Sequence, residues 1–267
     1  MKYYYVFNTK EEASEFIAEF TACVAEKCAS MTFGTATGST FTDVYAKMVN
    51  KIKRLSSIKY IRQMDNYYQG PAHATSGMSG YEKEIWNAIA KYLPGVDFDI
   101  PKEFAWDKYA ESLRFEASRR IASTYSALWL QYVGIGSDGH IAFNEPGDDM
   151  YASVHPVDLA DQTLSDNARF FGNKEADVPK TAITSGMANI LGESDIIVFA
   201  AFGDKKAEIV EKALLDPIDS DNPATLLRLF AGNLVYVLDT DAASTLCYCD
   251  EETCTLSPEQ LAVEILA

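Results

Sequence analysis

The sequence predicts an α/β protein: a Rossmann-like, mostly parallel sheet with helices on both faces, built as a single domain over residues 1–267. Three observations predict it. Short apolar, β-branched or aromatic runs alternate with longer segments of helical period. Several of those runs are apolar on consecutive positions, as strands buried on both faces must be. No internal repeat, low-complexity tract or linker divides the chain, and strand–helix alternation of this kind builds parallel sheets.

The expected strands, in order, are Lys2–Phe7, Met31–Gly34, Lys59–Met64, Leu130–Ile135, Ile196–Ala201 and Leu234–Leu238. Helical spacing covers Glu11–Ala29, Phe41–Arg54, Tyr81–Tyr92, Asp107–Thr124, Thr184–Leu191 and Lys205–Leu215. A last helix is announced by Ser257-Pro258-Glu259, with Ser as cap and Pro in the first turn. In such sheets a ligand sits beyond the carboxyl ends of the strands, so chemistry is sought there.

Composition narrows the function. Lys+Arg of 23 against Asp+Glu of 39 gives a net charge of −16, a field that repels nucleic acid and anionic lipid. An anionic substrate therefore needs a local positive pocket. The N-terminus reaches Lys10-Glu11-Glu12 without the apolar core of a signal peptide. The apolar run Ile196–Phe202 is far short of the ~20 residues that span a bilayer. A soluble cytoplasmic protein is expected. The five cysteines, Cys23, Cys28, Cys247, Cys249 and Cys254, read as free thiols, because a closed zinc site needs four ligands and no His lies near the last three.

Three strand ends carry polar chemistry. In Gly34-Thr35-Ala36-Thr37-Gly38-Ser39-Thr40, glycines permit a tight turn and a helix start presents free N–H groups. It reads equally as a phosphate cradle or as an ordinary turn with a Ser/Thr cap; it is neither a Walker loop nor a dinucleotide motif. Asp65, in Met64-Asp65-Asn66-Tyr67-Tyr68, is placed to act as a base or to open a turn. Gly134-Ile135-Gly136-Ser137-Asp138-Gly139-His140-Ile141-Ala142-Phe143-Asn144-Glu145-Pro146 crowds one of only three histidines between two carboxylates. Carboxylates around an imidazole fix its tautomer and raise its pKa, which suits it to move protons near neutral pH.

This last stretch closely resembles the signature of the glucosamine-6-phosphate deaminases and galactosamine-6-phosphate isomerases. Thr37-Gly38-Ser39-Thr40 looks like that family's phosphate loop and Met64-Asp65 like its catalytic aspartate. Further matches lie at Asn167-Ala168-Arg169-Phe170-Phe171, at Val178-Pro179-Lys180 through Gly186, and at Gly203-Asp204-Lys205-Lys206-Ala207, so the resemblance covers about residues 30 to 240.

The resemblance implies isomerisation coupled to deamination of a hexosamine 6-phosphate, a small-molecule substrate, with no cofactor and no metal. It assigns ring opening to His140, oriented by Asp138 and Glu145, and proton transfer between C1 and C2 to Asp65. Thr37, Gly38, Ser39, Thr40, Arg169 and Lys206 would grip the phosphate. Association into a homo-oligomer is left open. Against the family's usual pattern, Asn66 replaces an acid and Ala36 a proline, Tyr151-Ala152-Ser153-Val154-His155 replaces an arginine-containing stretch, and Arg228 and Phe230 replace a glutamine and a histidine. Basic residues after the signature hold an allosteric effector in some members, and that regulation is not expected here. Two rivals remain: a 6-phosphogluconolactonase-like hydrolase, whose Asp-Gly-His turn lacks the counterpart of Glu145, and a non-catalytic sugar-phosphate sensor, which would not need a proton relay.

Overall fold

In the computed structural model, which describes residues 1–68, 80–101, 107–114, 127–246 and 253–267, the apolar runs pair as expected. The strands are β1 (Lys2–Phe7), β2 (Ser30–Thr35), β3 (Ile58–Gln63), β4 (Asp65–Tyr68), β5 (Asp97–Asp99), β6 (Ala127–Val133), β7 (His155–Asp158), β8 (Thr181–Thr184), β9 (Ile196–Ala201) and β10 (Asn233–Asp239). Seven of them form one sheet in the order β1-β10-β9-β6-β2-β3-β5, every neighbouring pair parallel. All six residues of β9 are buried, which requires cover on both faces of the sheet. From β2 the chain builds outward through β3 to β5, then returns to β6 on the other side of β2. That reversal opens a crevice at the carboxyl ends of β2 and β6.

A second, three-stranded antiparallel sheet, β4-β8-β7, was not expected. Its segments are four residues each and largely polar, too short to show a period. Met64 alone separates β3 from β4. Its N–H donates to Thr35 O of the large sheet at 3.4 Å, and its carbonyl accepts from Ser185 N at 2.7 Å beside the small one.

Several boundaries differ from expectation. The helix expected over Thr184–Leu191 is Met187–Glu193, because Thr184 closes β8. β6 ends at Val133, and Gly134 and Ile135 already belong to the turn. The segment Phe41–Arg54 is a helix over Thr42–Asn50 and a short 3-10 turn over Ile52–Leu55. Of Asp107–Thr124, residues 107–114 are helical and the remainder lies outside the described residues. The last helix, Pro258–Leu266, carries a full capping box between Ser257 and Gln260, and it packs on the helix Lys10–Lys27.

Tyr132, fully buried in β6, anchors the core beneath the crevice. Its ring stacks on Phe41 at 4.6 Å and meets Phe33 edge-on at 4.8 Å. Its hydroxyl lies 2.6 Å from Thr21 Oγ1, which itself donates to Ile17 O at 2.9 Å. Either hydroxyl can donate between the two, and the Tyr132 hydroxyl also lies 3.4 Å from Met48 Sδ. Replacing Tyr132 with Phe leaves Thr21 bonded and keeps the stack, so the expected cost is about 1 kcal/mol in chemical denaturation. Tyr132→Ala, which empties the centre, is expected to cost roughly 3–5 kcal/mol.

Candidate active site

A cleft of about 300 Å³ occupies the crevice, lined by the loop after β2, the turn after β6, Asp65 at the start of β4, and cations from two later segments. The first wall is Ala36–Thr40. Tyr45 holds its beginning with one hydroxyl, accepting from Ala36 N at 3.1 Å and donating to Ala36 O at 2.7 Å. Gly38 has φ +88, a left-handed conformation that admits glycine freely. Gly34 lies in β2, within the expected strand, and a Cβ there would fall 1.9 Å from Gln131 Oε1; Thr35 extends that strand one residue beyond expectation. The loop is not a simple anion cradle. Gly38 N–H donates to Glu84 Oε1 at 3.1 Å, a carboxylate that burial holds above its usual pKa.

The turn after β6 places an imidazole over backbone. The Gly136 N–H donates to His140 O at 2.9 Å, which folds the turn back on itself. A Cβ on Gly136 would come within 2.3 Å of the His140 ring, so the ring lies where only glycine leaves room. His140 Nδ1 is 2.7 Å from Asp138 Oδ1 and 4.0 Å from Glu145 Oε2. Thr163 ties the group together, with Oγ1 donating to Glu145 Oε2 at 3.1 Å and lying 3.3 Å from His140 Nδ1. Asp148 Oδ2 accepts Glu145 N at 2.9 Å and fixes the backbone at that end.

Electrostatics divides these groups. Burial works against a charged His140, but the hydrogen bond and charge of Asp138, with Glu145, outweigh it and raise the imidazole pKa. Burial likewise opposes ionisation of Asp138, and His140 overcomes it, leaving Asp138 below its usual value. For Glu145 burial prevails over His140 and Thr163, and its pKa rises. The ligating atoms of Asp138, His140 and Glu145 lie within 4.8 Å of one another, as metal ligands also can. The nitrogen facing both carboxylates is Nδ1, however, and the raised imidazole pKa favours a proton there.

Asp65 is only 5% exposed. Its Oδ1 accepts from Gln63 Nε2 at 2.8 Å. Burial raises its pKa to about 7, opposed by Gln63 and by the charge of His140 and reinforced by Glu84. Asp65 opens a strand and does not cap a turn.

Thr37, Gly38, Ser39, Thr40, Asp65, His140, Arg169 and Lys206 thus line one cleft, while Asp138 and Glu145 contact the imidazole from outside its wall. Lys206 Nζ donates to Ile135 O at 2.9 Å. Burial lowers the Lys206 pKa, as does the charge of Arg169, against Asp166 and Asp138. Arg169 is exposed on the 3-10 turn Ala168–Phe171 that follows the helix Asp161–Asn167. Sequence reasoning missed Lys10, Lys205, Asp166 and Tyr81, which also line the cleft. Lys10 Nζ reaches Ser39 O at 3.0 Å and Asp43 at 2.8 Å; a cation 29 positions away offers no local signal of that contact. Cys23, Cys28 and Cys254 are free thiols, and Cys247 and Cys249 lie outside the described residues. No helix among the described residues is long and apolar enough to cross a membrane.

Comparison with known proteins gives the family. No family model matches the chain. A glucosamine-6-phosphate deaminase of Staphylococcus epidermidis is 36% identical over 215 residues, covering 79% of this chain and 85% of that relative. The chain belongs to the glucosamine-6-phosphate deaminase family. A second relative, the glucosamine-6-phosphate deaminase of Streptococcus uberis, is 35% identical over 80% of this chain and 87% of its own length. Among solved structures, a monomeric glucosamine-6-phosphate deaminase of the NagB superfamily superposes with a TM-score of 0.75 at 30% identity, covering 91% of this chain and 99% of that one. A 6-phosphogluconolactonase from Trypanosoma brucei superposes with a TM-score of 0.67 over 92% of this chain and 99% of its own, but at 18% identity it shares the fold alone.

The seat of the imidazole against Gly136 is testable. Gly136→Ala is expected to displace the imidazole from Asp138 and lower turnover roughly 10²-fold, the scale of an ångström of misplacement. Denaturation midpoints should stay near wild type. Full turnover in the variant would show that the ring does not need its present seat.

Proposed function

We propose that the protein converts a hexosamine 6-phosphate to a ketohexose 6-phosphate and ammonia, with the glucosamine epimer as substrate, acting in the cytoplasm through one domain spanning the chain and without a cofactor. The single observation that carries this reading is the pairing, in one cleft, of a buried carboxylate with an imidazole flanked by two more carboxylates. Proton transfer between adjacent carbons is served best by a base whose pKa lies near the operating pH. Asp65, with a pKa near 7, meets that requirement.

In the proposed sequence, His140 exchanges a proton with the ring and anomeric oxygens, breaking the C1–O5 bond and leaving an open aldehyde. Asp65 takes the proton from C2 and returns it at C1. The electron pair freed at C2 forms the C1–C2 double bond of an enolamine, and O1 gains a proton. The pair then takes the returned proton at C1 as the nitrogen gives up a proton and forms the imine at C2. Water adds to that imine and ammonia leaves, so the net reaction consumes one water. The C1 carbonyl oxygen is the electron sink for loss of the C2 proton, and the nitrogen lone pair drives protonation at C1. Glu145, which has no place in hydrolysis of a lactone, supports an isomerase over a lactonase. Asp65 supports an enzyme over a sensor. Lys206, Arg169 and the 37–40 loop take the phosphate, where charge-assisted contacts are strongest.

Ammonia release measured across glucosamine, galactosamine and N-acetylglucosamine 6-phosphates tests the reading, with glucosamine 6-phosphate preferred. Because Asp65 must be ionised to accept the proton, kcat/KM should fall tenfold per pH unit below about 7 and level off above it. Asp65→Asn should abolish both turnover and solvent-deuterium entry at C1 of fructose 6-phosphate, with the fold intact. Label entering at the wild-type rate would remove Asp65 from the reaction.

Arg169→Ala and Lys206→Ala should act mainly on affinity, each costing roughly 1.5–3 kcal/mol of sugar-phosphate binding by calorimetry. Unchanged affinity in both would overturn the phosphate assignment.

A further inference from the structure

Beneath the cleft, three side chains from three strands form one buried chain of hydrogen bonds that ends on a carboxylate. Thr35, the last residue of β2, and Gln63, the last of β3, stand opposite one another in register and are both fully buried. Thr35 Oγ1 donates to Gln63 Oε1 at 2.6 Å, and Gln63 Nε2 donates to Asp65 Oδ1 at 2.8 Å. The backbone carbonyl of Gln63 accepts from the Tyr109 hydroxyl at 2.6 Å, which fixes the main chain at this residue. An amide can present either end. With its oxygen engaged by Thr35, its N–H must face the carboxylate; the reverse would oppose an acceptor to an acceptor in a dry site, where an unmet polar group is costly.

From this we infer that Gln63, oriented by Thr35, is the positioning residue for the base: it pins Oδ1 of Asp65, favours the ionised form and leaves Oδ2 as the proton-carrying atom. The inference rests on the reading of Asp65 as the base. Thr35 also leads directly into the phosphate loop, so the same strand end that carries the loop orients the base. The other groups that bear on Asp65 are His140 from the turn after β6, Glu84 and Tyr81 from the helix Gly80–Ala88, Tyr67 on β4 and Tyr45 beneath the loop. None of them replaces the amide N–H.

The test compares Gln63→Met, which keeps volume without a donor, with Thr35→Val and Thr35→Ser. Each is followed by the acid limb of kcat/KM for glucosamine 6-phosphate and by the 13C titration of the Asp65 carboxyl in the free enzyme. Losing a donor to the carboxylate raises its pKa, so Gln63→Met should move both curves to higher pH by about one unit, a tenfold loss on the acid limb. Thr35→Val should move them the same way by less, and Thr35→Ser should restore the wild-type limb. A loss of turnover equal at every pH, with the limb and the titration unmoved, would make Gln63 merely structural and overturn the inference. If Gln63→Met fails to fold, the two Thr35 variants decide by the same readouts. Wild-type exchange in Asp65→Asn would sink the reading of the base itself; an inactive Asp65→Asn with an unmoved limb in Gln63→Met sinks only the positioning role.

Discussion

Taking the Asp65 carboxylate out of water is the constraint around which the rest of the cleft is arranged. A carboxylate at 5% exposure loses most of its hydration, and a site with an effective dielectric below that of water leaves it dependent on its neighbours. Gln63 supplies a hydrogen bond and His140 supplies charge. His140 carries that charge, against its own burial, because Asp138 lies 2.7 Å away. Asp138, in turn, stays ionised because His140 is there. Each group is tenable only in the presence of the next, which explains why the turn after β6 and the start of β4 must be brought together by the fold.

The net charge of −16 makes the local distribution matter more. Lys10, Arg169, Lys205 and Lys206 line the cleft, so an anion that enters meets cations in a protein whose global field repels it. Two of the four come from adjacent positions at the end of β9, where Gly203, at φ +88, turns the chain and its N–H is held by both oxygens of Asp239 at 2.9 and 3.1 Å. Asp239 ends β10. The cation pair is therefore seated by the neighbouring strand as well as by its own.

How much of this was legible in the sequence follows from the range of each interaction. β9 and β10 announced themselves because strands covered on both faces are continuous apolar runs. β4, β7 and β8 did not, since Asp65–Tyr68, His155–Asp158 and Thr181–Thr184 are short and their pairing with one another is decided by tertiary contacts. Asp138, His140 and Glu145 were legible because eight residues hold all three. Thr163, which joins two of them, lies 23 positions from His140, and Glu84 lies 46 from Gly38. Nothing in a spacing reveals such partners. The need for glycine at position 34 was hidden in the same way: its neighbour Gln131 belongs to another strand.

The joint at Met64 has a consequence for how the chain tolerates change. One residue passes from the parallel sheet to the antiparallel one, with its N–H in the first and its carbonyl bonded beside the second. Successive side chains of a strand point to opposite faces, so Asp65 and Asn66 look in opposite directions. Gain or loss of a single residue at this joint would exchange them and present an amide to the cleft where a carboxylate now stands. Every side chain used by the proposed reaction would still be encoded, yet its base would no longer face the cleft. Length at this position is thus under the same constraint as identity, and the two-sheet architecture allows it no slack.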